Sequence, residues 1–244
     1  VSNTFRTTTF TGEHPILVSN HVLRTNLTID REKLDFKYKK VSEVMVGDWI
    51  KVPNIYRELG GFDVSSLWDS DDTYRENHRV ESPLYETEFW WFIGLWLGDG
   101  WCESNGHKIT FAINNKEHEY QKRLTSVANN LFNRSVSIRQ REGAVEMTFC
   151  NEQLNRFLCN NFGKGALGKK IPEWAKRISH EFKRHLIQGY LDSDGCVGFD
   201  KKRNLYNIQF VSINLQLVES IQDILFSLGY VSNLCKLRSA SEHI

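Results

Sequence analysis

Two aspartates stand in matching surroundings 95 residues apart. Residues 92–100 read FIGLWLGDG and residues 187–195 read IQGYLDSDG, so each stretch has a Gly, an Asp five positions later, and then another Gly. On a helix, Gly94 and Gly98 share a face, as do Gly189 and Ser193, because residues four apart lie one above the other. Two such small-residue seams allow a pair of helices to bring their backbones together. Asp99 and Asp194 then fall in the last turns, each followed by the Gly that commonly ends a helix. A carboxylate there faces the negative end of the helix dipole, and a second one nearby adds repulsion. The arrangement therefore asks for a cation. Oxygen donors suit hard divalent ions, and Mg²⁺ is the expected choice where a substrate contributes phosphate oxygens.

The elements around the motifs repeat as well. Each is followed by a strand-like stretch, ITFAI at 109–113 and IQFVSI at 208–213, that ends at Asn114 or Asn214, either of which can cap a helix. Helical apolar spacing follows, with Tyr120, Leu124, Val127, Ala128 and Leu131 in the first copy and Leu217, Val218, Ile221, Leu225 and Leu228 in the second. Both copies then return to strands, Val136 with Ile138 and Val231 with Leu234. Only the first continues through a turn at Glu142-Gly143 into a strand ending at Phe149 and a helix over 152–159, so the second copy is expected to be truncated by about one strand and one helix.

The chain has 244 residues with 40% hydrophobic and 25% charged side chains, the composition of a packed protein with room for two domains. Its longest apolar run, residues 89–97, is far short of the ~20 residues that span a bilayer, so no membrane association is expected and the protein reads as cytoplasmic. Five cysteines, Cys102, Cys150, Cys159, Cys196 and Cys235, form no C-x-x-C pair and suggest neither a zinc site nor a disulfide framework. Charge is distributed unevenly. Residues 1–55 hold 8 basic and 6 acidic side chains, 56–88 hold 3 and 9, and 89–244 hold 20 and 15, giving +2, −6 and +5. The acidic middle predicts a solvated linker, and the basic remainder a bias toward polyanions.

The repeated motif resembles that of the LAGLIDADG (dodecapeptide) homing endonucleases in their single-chain, two-repeat form. The resemblance implies an α+β fold of two pseudo-symmetric αββαββα halves over 88–244, repeat 1 at about 88–168 and repeat 2 at about 180–244. It implies a monomer that binds double-stranded DNA, with Asp99 and Asp194 as catalytic metal ligands for Mg²⁺. Lys169-Lys170-Ile171-Pro172 looks like the family's K-x-I-P block, which gives Lys169 a catalytic role. The implied activity is metal-dependent hydrolysis of phosphodiesters, making a double-strand break at a long target site. A protein that keeps this fold only to bind nucleic acid, as a maturase or regulator, is the competing class. Alternating strands supply a polar face for the DNA, with Arg139, Arg141, Asn207 and Gln209 as candidate base readers. Lys201, Lys202 and Arg203 form a candidate phosphate clamp.

The first 55 residues show short runs at 7–10, 16–18, 44–46 and 49–52, an all-β reading. Thr11-Gly12-Glu13-His14 resembles block B of inteins, the T-x-x-H signature of the Hint splicing domain, and residues 41–52 resemble the following segment with its Gly-Asp. The resemblance gives Thr11 and His14 the role of polarising a scissile peptide bond. Domains are therefore expected at 1–55 (partial Hint domain), 56–87 (acidic linker) and 88–244 (endonuclease). The full-length partners would be the host-protein exteins. Val1 in place of a Cys or Ser nucleophile, and Ile244 in place of a terminal His-Asn, predict that this chain alone does not splice. A splicing element carrying an inactive endonuclease is the remaining alternative.

Overall fold

A computed structural model describes residues 2–3, 9–19, 35–51, 64–68, 81–103, 106–202 and 204–236. Contacts divide the chain into two units, one formed by the first 55 residues together with those from Cys235 onward, the other by Tyr56–Leu234. In the first unit, strand β1 is Ser2–Asn3, β2 is Pro15–Ser19, β3 is Lys37–Lys40 and β4 is Trp49–Ile50. Strand β2 lies between β3 and β4, antiparallel to both, with Leu17 opposite Tyr38 and Val18 opposite Ile50. The turn into β4 has Gly47 at φ 103°, where a side chain would be strained, and Asp48 accepts from Met45 N at 3.0 Å and Lys39 Nζ at 3.3 Å. The β expectation holds at 16–18 and at 49–50. Residues 9–10, 44–46 and 51 are not in strands, and 7–8 and 52 lie outside the described residues.

The second unit is built on two helices, α1 (Thr87–Asp99) and α4 (His180–Asp194). Every residue from Phe89 to Leu97 is buried, so α1 has no solvent face; its mixed aromatic and aliphatic text is that of a helix packed all round. Elsewhere, capping fixes where helices begin. Ser179 Oγ accepts from Phe182 N at 3.2 Å, and Asn151 Oδ1 from Leu154 N at 2.9 Å.

After α1 come β5 (Gly100–Cys102), β6 (Lys108–Asn114), α2 (His118–Phe132), β7 (Ser137–Gln140), β8 (Ala144–Cys150) and α3 (Glu152–Phe162). The four strands form one antiparallel sheet in the order β5-β6-β8-β7. Ile109, Phe111 and Ile113 of β6 and Val145, Met147 and Phe149 of β8 turn one face into the core, against Leu124, Phe132, Leu154 and Phe157. Helix α3 runs one turn beyond the expected Cys159. The edge strand β7 is exposed throughout, Ile138 included, so the alternation read there marks an edge rather than a half-buried strand.

The second copy opens in the same order, with α4, β9 (Gly195–Asp200), β10 (Leu205–Phe210) and α5 (Leu215–Ser227). Its sheet, among the described residues, has only β9 and β10. The expected further strand, β11 (Leu234–Cys235), pairs with β1 and does not join that sheet. Tyr206 is opposite Phe199 and Ile208 opposite Val197, so these four share one face of the hairpin, and all are exposed.

Part of the acidic linker also differs from the solvated segment its composition predicts. Trp68 is 5% exposed and packs on Phe89 and Phe157 at ring separations of 6.2 and 5.0 Å. One aromatic side chain outweighs the local charge, since burying it removes a large apolar area from water.

The glycines of the helix pair leave no room for a side chain. A methyl added at Gly94 would overlap Leu186 O and lie 2.7 Å from Tyr190 N and 2.9 Å from Gly189 Cα. One added at Gly189 would overlap Trp91 O and lie 2.8 Å from Leu95 N. All of these obstacles are backbone, which cannot rotate away. Gly94→Ala and Gly189→Ala are therefore expected to cost about 3 kcal/mol or more in urea unfolding. Gly198→Ala, whose methyl would sit 3.9 Å from Asn207 O in the hairpin, should change little.

Candidate active site

The close approach of α1 and α4 carries through to their C-terminal ends. Gly98 faces Ser193, whose Oγ is turned back to Gly189 O at 3.2 Å and Tyr190 O at 3.1 Å. A methyl on Gly98 would overlap Ser193 and lie 3.2 Å from Asp194 Cγ, which places the second-copy carboxyl against the first-copy helix one residue from Asp99. Burial, followed by the negative charge of Asp194, pushes the Asp99 carboxyl up to about 7, and Glu117 adds to the rise. Asp194 is raised too, mainly by desolvation.

Lys169 supplies the positive charge. It is 5% exposed, so it is not the solvated loop lysine that charge alone would suggest. Its Nζ donates to Gly98 O at 2.9 Å and lies 5.1 Å from the Trp96 ring centroid. Burial lowers the Lys169 ammonium to about 8, against the opposing pull of Asp194 and Asp99. Helix polarity contributes as well, because Gly98 O belongs to the unpaired carbonyls of the last turn and welcomes a cation. Tryptophan, lysine and both carboxylates thus converge on one end of the helix pair.

Several residues around the helix pair, at both of its ends, escape a reading of the sequence. Asp192 accepts from Trp91 Nε1 at 2.8 Å across the helix pair and is hydrogen-bonded to Tyr120, whose hydroxyl burial pushes up. Position 97 of the first copy is Leu, so a comparison of the repeats passes over Asp192. Arg123 pairs with both carboxylate oxygens of Glu88, at 2.7 and 2.8 Å, and lies over the Trp91 ring at 4.1 Å. Cys102 neighbours Cys159 and Lys169, and burial pushes its thiol up to about 12, so it is an inert proton-bearing group there.

The described residues assigned to DNA contact lie on the β7–β8 and β9–β10 hairpins. Arg139, opposite Glu146, and Arg141 flank the outward face of the first sheet, but Arg141 is ion-paired to Glu146 at 2.9 Å. Asn207 and Gln209 share the polar face of the β9–β10 hairpin, opposite Gly198 and Cys196, and both are exposed. Lys201 and Lys202 are exposed on the hairpin turn, where Lys202 N donates to Asp200 Oδ1 at 2.9 Å. Arg203 lies outside the described residues. In the first unit, Thr11 O accepts from His14 N at 3.0 Å in an exposed turn, and Phe10 stacks on the His14 ring at 4.8 Å.

Among the described residues, no group of three or more His, Cys, Asp and Glu side chains could hold a metal, and no helix is long and apolar enough to cross a membrane. Two carboxylates still fit Mg²⁺, which keeps several waters and is commonly bound by one or two carboxylates plus substrate phosphate. Burial raises the proton affinity of both carboxylates, the Asp194 charge adds to the rise at Asp99, and Lys169 opposes it at each.

Residues 181–243, a stretch that includes the second motif copy, match the family described as a LAGLIDADG-like domain. Among curated proteins, the ATP-dependent DNA helicase Hel308 of Thermococcus kodakarensis is 28% identical over 145 residues, 58% of this chain and 13% of that protein. The replication factor C small subunit of Methanocaldococcus jannaschii is 25% identical over 228 residues, 87% of this chain and 12% of that protein. The chain thus spans about an eighth of the length of these relatives. Among solved structures, variants of the homing endonuclease I-DmoI align with a TM-score of 0.43 at 14% identity, covering 59% of this chain and 77% of that chain. Full-length DUF199/WhiA from Thermatoga maritima gives 0.40 at 12% identity, covering 57% and 43%.

Removing the Asp99 charge should reveal the strain of the pair. An unfolded Asp ionises near pH 4 and Asp99 near 7, so between these values unfolding releases a proton and stability falls as pH rises. In chelator-treated protein, Asp99→Asn is expected to melt a few degrees above wild type at pH 7 and higher, with the gap closing toward about pH 4. A thermal melting series across pH checks both the sign and the window.

Proposed function

We propose that this chain is a site-specific DNA endonuclease of the LAGLIDADG class, nested in an intein, that uses Mg²⁺ to cut both strands of a long target. The observation that carries the reading is the convergence of Asp99 and Asp194, one from each copy, with buried Lys169 at the end of the glycine-lined helix pair. Two pseudo-symmetric halves would frame it, the second truncated.

Asp99 and Asp194 would hold the metal between them, and both carboxylates come from one chain, as a monomeric nuclease requires. Bound Mg²⁺ would supply an activated water and stabilise the departing 3′-oxygen. Lys169 has its charge fixed before substrate arrives, held at Gly98 O over Trp96. A preorganised cation of this kind stabilises the charge that develops on a pentavalent phosphorane, or polarises the attacking water, at little reorganisation cost. Because Lys169 titrates near 8, it remains largely protonated at neutral pH.

The intein setting is supported by the variety of proteins that carry a matching stretch. Similar segments occupy 12–15% of a helicase, a replication factor C small subunit, a DNA polymerase, an iron–sulfur cluster assembly family protein and an RNA polymerase subunit, proteins whose names share no single activity. An element inserted into unrelated hosts explains this, with the host exteins as partners and Thr11 and His14 as residues of the splicing unit.

Plasmid cleavage in Mg²⁺ is the test, using a target built from a host gene that lacks the insertion. Asp99→Asn and Asp194→Asn are each expected to lower cleavage by 10³-fold or more while leaving DNA binding within about threefold. Cleavage that survives both substitutions would sink the reading, whereas binding without any cleavage in the parent chain would favour the maturase or regulator class. Lys201→Ala and Lys202→Ala should each weaken binding evenly across sequences and reduce the salt slope of log K by about 0.9.

A further inference from the structure

Lys169 reaches its station from a loop, and one residue of the second copy grips that loop. Asn214 is the N-cap of α5 and is buried. Its Oδ1 accepts from Leu217 N at 3.2 Å, while Nδ2 donates to Leu167 O at 3.0 Å and to Lys169 O at 2.6 Å. The orientation of the amide is set by its neighbours, because the cap needs an acceptor and two carbonyls need donors. Both protons and one acceptor site of the side chain are thereby used.

The loop has its own partial order. Gly163 and Gly165 turn it at φ 74° and 71°, Lys169 N donates to Gly165 O at 3.1 Å, and Lys170 N donates to Phe162 O at 2.8 Å. With those bonds made, the carbonyls of Leu167 and Lys169 take their hydrogen bonds from Asn214. The corresponding asparagine of the first copy behaves differently: Asn114 is exposed, and among the described residues its Oδ1 accepts from Lys116 N, at 3.0 Å, while α2 begins after Glu117 without a side-chain cap. Gripping a neighbouring loop is therefore no general property of a cap at this place in the fold.

We infer that Asn214 is a positioning residue for Lys169: its amide fixes the backbone of the lysine loop so that the ammonium group stays at Gly98 O. The inference rests on the nuclease reading for its functional meaning. The placement of the lysine can be measured without cleavage, so the two fail separately. A four-carbon stem with free torsions holds its charge in one place only when its Cα is held.

Asn214→Ser and Asn214→Asp both keep a capping oxygen and lose the amide nitrogen that donates to Leu167 O and Lys169 O, which separates the cap from the grip. Asn214→Asp also sets a carboxylate against two carbonyl oxygens. In the full chain, acetylation by an N-hydroxysuccinimide ester, read by peptide mass spectrometry, is expected to be slow at Lys169 and to rise roughly tenfold in both variants, with Lys170 unchanged. Circular dichroism should show the helices retained. Single-turnover cleavage should slow by about 10- to 100-fold at unchanged DNA affinity, and Asn214→Ser should cost nothing further in a Lys169→Met background. Unchanged protection of Lys169 in both variants would overturn the inference, as would an undiminished effect of Asn214→Ser in that background. If the parent chain does not cut, the acetylation result alone decides where the lysine is held, and the nuclease reading falls independently.

Discussion

Backbone touching backbone between α1 and α4 is the constraint on which the second unit depends. Gly94 and Gly189 face each other with no space for even a methyl group, and that contact sets the axial distance, the rotation and the register of the two helices together. Everything at the C-terminal end inherits its position from this contact. Asp194 lies against Gly98 because the seam continues through Ser193, and Asp99 follows one residue later. The aromatic packing around α1, from Phe89 to Trp96, supplies apolar burial that holds the pair closed.

Electrostatics at that end is arranged against folding and in favour of charge recognition. Two carboxylates are raised by burial, and in Asp99 by the other's charge as well, while a lysine is lowered by burial although both carboxylates pull the other way. Such a cluster costs stability in the free protein, and natural sequences keep such costs where chemistry or binding returns them. Helix dipoles add to the cost, since both carboxylates sit at negative ends. Lys169 offsets part of it, with Trp96 beneath its ammonium group.

Much of this was legible in the sequence because close helix contact has a distinctive text. Small residues four apart, followed by Asp-Gly in the same phase, appear twice, and packing alone seldom duplicates such a phase. Caps were half legible: Asn214 does cap α5, whereas Asn114 makes only a local turn and α2 starts later. Lys169 could not be told from a surface lysine by charge, because its burial depends on a loop folded by Gly163 and Gly165 and gripped from 45 residues away. Asp192 was hidden by the repeat itself, being matched by Leu97. Trp68 was masked by the acidic residues around it, since composition averages over a segment while burial is decided one side chain at a time. The strand read at 231–234 shrank to two residues paired elsewhere, a reminder that a short apolar run does not name its partner strand.

Val197, Phe199, Tyr206 and Ile208 form an apolar row with no layer over it among the described residues, whereas the matching row of the first sheet is sealed. A two-stranded ribbon without a covering layer is marginal in water, so this corner is where amide protons will trade with solvent first and where concentrated solutions will begin to clump. Handling of the isolated chain is thus governed by its least protected ribbon and hardly at all by its tightly locked centre.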